Sequence, residues 1–95
     1  MNGADLITAE RQRQIEVEGY DSVHDAQEHA DEMLCYAAIA YTFPLEHEDG
    51  ARFLYWPWDL KSFKPTPDDR IRELVKAGAL TAAEIDRLNA ERAEP

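Results

Sequence analysis

Apolar residues recur at spacings of three and four along two stretches of this chain. In the first, Val23, Ala26, Ala30, Met33, Leu34, Ala37 and Tyr41 fall on one stripe, the period of an amphipathic helix. Ile39 and Ala40 widen the apolar surface beyond Cys35, which marks the second half of that helix as central. The spacing returns in Ile71, Leu74, Val75, Gly78, Ala82, Ile85 and Leu88. Asp21 or Ser22 can cap the first helix, and Pro44 ends its run. Thr66 as cap, Pro67 at the first helical position and Asp68-Asp69 in the first turn open the second. The pattern predicts helices over 22–42 and 67–91. Gly78 leaves two readings of the latter. One is a continuous helix in which Gly78 allows close contact with the 22–42 helix. The other is a stop at Gly78 and a fresh start through the capping box Thr81-Ala-Ala-Glu84. The unbroken apolar phase favours the continuous helix.

A more polar helix is predicted over 8–18. Thr8 is its cap, the residues from Ala9 to Glu18 are good helix formers, Glu10 suits the helix dipole and Gly19 supplies a stop. Only Ile7, Ala9, Ile15 and Val17 offer it apolar surface, which places it on the outside of the bundle. The expected fold is all-α: one domain over 1–95, a small bundle of three or four helices. Residues 43–66 form a long aromatic- and proline-rich connection, with a short strand or helical turn around Arg52–Tyr55.

That connection concentrates the aromatic side chains. Phe53, Tyr55, Trp56, Trp58 and Phe63 are five of the nine in the chain, and both tryptophans flank Pro57. A connection of more than about 20 residues inside a compact domain packs through its own side chains or carries function. Arg52, Lys61 and Lys64 add positive charge, and stacking platforms beside cations suit a nucleotide or a protein partner. Trp56, Trp58, Tyr55, Arg52, Lys61 and Lys64 are therefore candidate binding residues. The competing reading is that the rings cap the core. Lying between the two most apolar helices, they are expected to share both tasks, one tryptophan buried and the other at the edge of a site.

Charge divides the chain. The formal net charge is −10, and residues 1–50 carry 12 of the 20 acidic residues against two bases, Arg11 and Arg13. Such a surface repels nucleic acid, whose recognition needs a basic footprint. It favours basic protein partners or divalent cations, with Glu28, Asp31 and Glu32 as candidate contacts. His24, Glu28 and Asp31 or Glu32 lie at helical spacings of three and four, and Asp25 with His29 forms a second such pair. One of these faces could present oxygen and imidazole ligands to magnesium, manganese or zinc. A solvated acidic face has the same appearance, and HExxH, paired CxxC and EF-hand patterns are absent. Two serines and one cysteine give nucleophilic catalysis little support. Cys35 reads as a buried, inert thiol in a reducing cytoplasm. The sequence has no run of the roughly 18 apolar residues a membrane span needs, and its start lacks the features of a signal peptide. The alanine-rich helix and the long apolar helix invite homo-oligomerisation.

The ordered set Leu6-Ile-Thr-Ala-Glu-Arg-Gln-Arg-Gln-Ile15, Glu18-Gly-Tyr20, His24-Asp25, Trp56-Pro-Trp-Asp59, Lys64-Pro65, Leu74-Val-Lys-Ala-Gly-Ala-Leu80 and Ala83-Glu-Ile-Asp-Arg-Leu88 resembles a family of short phage- and prophage-encoded proteins of unassigned function. The resemblance supplies context and no mechanism; the leading expectation is a non-enzymatic phage accessory protein of the host cytoplasm. Such a protein would bind a host or phage target, as anti-defence inhibitors and nucleotide sponges do. A more distant similarity, to MazG-like all-α nucleoside triphosphate pyrophosphohydrolases, implies magnesium-dependent hydrolysis as the alternative. Glu28 and Asp31-Glu32 would match one acidic motif of that family. The last helix departs from the second, with Glu73 and Lys76 where an ExxD would stand.

Overall fold

The computed structural model describes residues 1–18, 32–47 and 50–93. The expected caps Asp21 and Ser22, the stop at Gly19 and the candidate ligands His24, Asp25, Glu28, His29 and Asp31 lie outside the described residues. Four α-helices and two 3₁₀ turns are present among those described, with no strand. The all-α helical bundle expected from the periodicity is what the chain forms.

Helix α1 spans Gly3–Glu18 and begins five residues before the expected start at Thr8. Its cap is reciprocal. Asp5 N–H donates to Asn2 Oδ1 at 2.9 Å, while Asn2 N–H donates to Asp5 Oδ2 at 3.1 Å, which satisfies two backbone donors at the helix start. Thr8 lies inside the helix, where its hydroxyl donates to the Ala4 carbonyl. Helix α2 spans Met33–Thr42. It ends where Pro44 predicts, but it does not continue back through Glu32 as the 22–42 reading requires. Glu32 holds a left-handed conformation, φ 62°, which breaks a right-handed helix at that point.

The connection after α2 is mostly helical turns: 3₁₀ at Leu45–His47, helix α3 at Ala51–Tyr55 and 3₁₀ at Leu60–Ser62. Of the strand and helical turn weighed for Arg52–Tyr55, the turn is the one formed. Helix α4 runs unbroken from Arg70 to Ala93 through Gly78. Its cap is Asp69, whose Oδ1 accepts from Arg72 N–H at 3.1 Å, rather than Thr66, which instead closes a turn with Asp69 N–H. Thr81 donates to the Ala77 carbonyl within the helix and caps nothing.

Helix α4 is the central element, with α1 and α2 both packed on it. Leu34, Ala37 and Ala40 of α2 meet Ala77, Leu80 and Ala83 of α4, with Tyr41 and Phe63 closing one end and Trp56 and Trp58 packed against the cluster. Alanines on both sides let the two helices lie close together. Gly78 makes its close approach to α1 instead of α2. A Cβ there would fall 2.5 Å from Ile7 Cδ1.

The buried face of α4 differs from the expected stripe. Ile71 is 69% exposed, and Leu74, Ile85 and Leu88 are exposed as well, whereas Glu73, Glu84 and Arg87 are buried. Charges can occupy the inner face because each finds partners, which offsets the cost of dehydrating it. Glu73 accepts from Arg52 at 2.5 Å, from Arg70 at 3.1 Å and from Thr66 N–H at 3.0 Å. Arg52 also donates to the Ala40 carbonyl at 3.1 Å, joining α2, α3 and α4. Burial would push the Glu73 carboxyl up, but the Arg52 and Arg70 guanidiniums together hold it below the ordinary carboxylate value. No helix among the described residues is long and apolar enough to cross a membrane.

Candidate functional site

Helix α1 meets α4 through buried charge as well as apolar side chains such as half-buried Ile7. Glu10, Arg11 and Gln14 are buried, whereas Val17, expected to supply burial, is exposed. Spacings of three and four put Glu10, Arg13 and Gln14 on one face of α1. Glu10 accepts from Arg13 at 2.8 Å on each oxygen and pairs with Arg72 of α4 at 2.7 Å. Burial raises the Glu10 pKa, yet the two arginines outweigh it and leave the carboxyl below its usual range. Arg11 pairs with Asp86 at 3.2 Å.

Beside this ionic seam lies a cleft of about 70 Å³, lined by α1, α4, Tyr41 of α2 and the aromatic connection. Trp56 and Trp58 form one wall. Both are half-buried, so the core and the cleft share the two rings, instead of one ring serving each. Trp56 stacks on Phe63 with centroids 4.9 Å apart, and meets Trp58 edge-on at 5.1 Å and Tyr41 edge-on at 5.5 Å. Its indole N–H donates to Asp59 O and Ser62 Oγ, so what Trp56 offers a ligand is ring surface. Lys64 and Lys76 contribute cations. Lys76 Nζ donates to the Lys64 carbonyl at 3.1 Å and lies 5.4 Å from the Tyr41 ring centroid. Tyr41 OH in turn accepts from Lys64 N–H. With Arg13, three basic side chains and one acid, Glu10, border the space.

Of the binding residues proposed from sequence, Trp56, Trp58 and Lys64 come together here. Arg52 is buried in the Glu73 network. Tyr55 stacks on Phe43, and exposed Lys61 belongs to the Leu60–Ser62 turn; neither lines the cleft. Sequence reasoning missed Glu10, Arg13, Gln14, Tyr41, Lys76 and Leu80. The Glu-x-x-Arg-Gln spacing over 10–14 and the single lysine in Leu74–Leu80 were the available signals.

Among the described residues one other group of ligand-type side chains converges: Glu32, Cys35 and Glu84, whose ligand atoms lie within 4.8 Å of one another. Glu32, placed by sequence on a candidate binding face, belongs to this group and not to the cleft. Arg87 occupies both Glu84 oxygens, at 2.5 and 3.2 Å. Burial, followed by the negative charges of Glu84 and Glu32, pushes the Cys35 thiol up. Cys35 is half-buried, not fully buried as expected, and its thiol donates toward Glu84 Oε2, 3.6 Å away. A cation would have to displace the guanidinium and deprotonate the thiol, so the donor set fits a metal poorly. No family model, curated protein or solved structure matches this chain.

Proposed function

We propose that this protein is a binding module for a nucleotide or a comparably planar, anion-bearing small molecule, held at the cleft between α1, α4 and the aromatic connection. The observation that carries this reading is the convergence of two tryptophan rings with Lys64, Lys76 and Arg13 around one opening. Aromatic faces stack any base, at about 1–3 kcal/mol per ring contact, while the ammonium and guanidinium groups favour phosphate. The acidic remainder of the surface repels polyanions, which suits a mononucleotide better than a nucleic acid strand. An inhibitor acting through an acidic face would rest on Glu28 and Asp31, outside the described residues, and on Glu32.

Both tryptophans of the chain line the cleft, so intrinsic fluorescence reports directly on occupancy. Titration with nucleoside mono-, di- and triphosphates should change the emission saturably. Trp58→Ala should weaken binding about tenfold while far-ultraviolet circular dichroism stays unchanged. A flat titration across the panel, confirmed by calorimetry, would sink the proposal.

A further inference from the structure

The cleft volume of about 70 Å³ is room for a few water-sized groups. A purine or pyrimidine ring exceeds that room, whereas a phosphoryl group, one phosphorus with three oxygens, matches it. The charge of the lining agrees. Arg13, Lys64 and Lys76 are positive and Glu10 alone is negative, which leaves an excess of two positive charges. Glu10 is also shared with Arg72, which lies outside the lining, so its carboxylate is a weak deterrent to an incoming anion. The three cations are within reach of solvent, Lys64 exposed and Arg13 and Lys76 half-buried. Two neutral donors of the lining are engaged inside the connection itself. The Trp56 indole N–H donates to Asp59 O and Ser62 Oγ, and the Ser62 hydroxyl donates to Asp59 O at 2.6 Å. Recognition inside the cleft therefore falls to charge.

We infer that the cleft takes the terminal phosphate of a nucleotide as a doubly charged monoester, while the base lies across the opening against Trp56 and Trp58. This rests on the nucleotide-binding reading above and specifies which end of the ligand enters. A phosphate monoester carries about −1.5 to −2 at pH 7, which balances the excess of the lining. A phosphate diester carries a single negative charge, leaves half of that excess unmatched and binds more weakly.

AMP, GMP, CMP and UMP, each compared by calorimetry with its 5′-methyl ester, provide the test. The ester keeps base and sugar and turns the monoester into a diester. At about pH 7.5 a monoester that binds should do so about tenfold or more tightly than its ester, because one missing charge weakens its attraction to three cations at once. The second proton of the monoester titrates near pH 6. No histidine lines the cleft among the described residues, and Glu10 is held below the usual carboxylate range. Lowering the pH to about 5 should thus shrink the gap about fivefold or more. Lys64→Gln, at an exposed position, should narrow the gap at about pH 7.5 and leave far-ultraviolet circular dichroism unchanged. Equal binding of monoesters and esters overturns the inference and leaves the nucleotide site standing. A gap that shrinks less than about threefold on acidification overturns it too, assigning discrimination to the shape of the ester. A gap untouched by Lys64→Gln also overturns it. Absence of binding by all eight ligands overturns this inference, and a flat titration with di- and triphosphates as well removes the reading beneath it.

Discussion

Two helices dock on α4 by different means. The α2 seam is built from Leu34, Ala37 and Ala40 against Ala77, Leu80 and Ala83; it gains from dispersion and dehydration of apolar surface. The α1 seam is built from Glu10 with Arg72 and Arg11 with Asp86, together with the close approach of Ile7 to Gly78. Apolar packing responds little to salt or pH, whereas the ionic seam answers to both. The cleft walled by Trp56 and Trp58 borders the ionic seam. The contrast teaches that the fold is anchored on one side of α4 and tunable on the other.

The largest expected effect tests the anchored side. Leu34 is fully buried, and Leu34→Ala should cost about 2–5 kcal/mol, through lost transfer energy and the cavity left behind. Urea unfolding should show a lower midpoint, and the shift from wild type should be insensitive to ionic strength. A loss below about 1 kcal/mol would mean that α2 is not the anchor.

Glu10→Gln tests the tunable side, at about 1–3 kcal/mol. Hydrogen exchange should show protection falling along α1 while α2 keeps it. Equal loss in both helices would erase the distinction between the seams. The pH dependence follows from the lowered carboxyl of Glu10. A carboxylate depressed in the folded state contributes stability above its unfolded pKa of about 4.3. That contribution is lost as pH falls through the lower folded value. Protection of α1 should therefore decline on acidification below about pH 4, and Glu10→Gln should flatten that decline. Glu73, lowered by Arg52 and Arg70, adds an acid-sensitive component of the same sign at the end of the α2 seam, where Arg52 joins α2, α3 and α4.

The smallest effect concerns Gly78. Alanine gains about 1 kcal/mol in helix propensity over glycine, but its Cβ would meet Ile7 at 2.5 Å. The two terms oppose each other, so Gly78→Ala alone should move stability by less than about 1 kcal/mol. In an Ile7→Ala background the clash is gone, and Gly78→Ala should raise Tm. An unchanged Tm in that background would show that the Ile7 contact is not what limits position 78.

Helical periodicity reveals that helices exist here and where two of them end. Pro44 stops α2, and the unbroken phase through Gly78 predicts a continuous α4 correctly. Periodicity does not reveal which face turns inward. Ile71, Leu74, Ile85 and Leu88 share an outer face because Glu73 on the inner face is met by Arg52, supplied 21 residues earlier. Pairing of that kind is non-local and leaves no mark on spacing. The Asn2–Asp5 cap was hidden for a milder reason, since Thr8 before a helix-forming run offers an equally ordinary start. For the cleft, the tryptophans were visible through their density. Its α1 wall was not, because Glu10, Arg13 and Gln14 look like any solvated helix face until Arg72 of α4 pairs with Glu10.

The outward stripe of α4 has a consequence in colloidal terms. Isoleucine and leucine kept in water are a standing short-range attraction between copies of the molecule. The net charge of −10 supplies an opposing repulsion that reaches farther, about 8 Å at physiological ionic strength. Copies therefore meet an electrostatic barrier before their apolar stripes can touch. The acidic excess of the first half of the chain thus protects a face that belongs to the second.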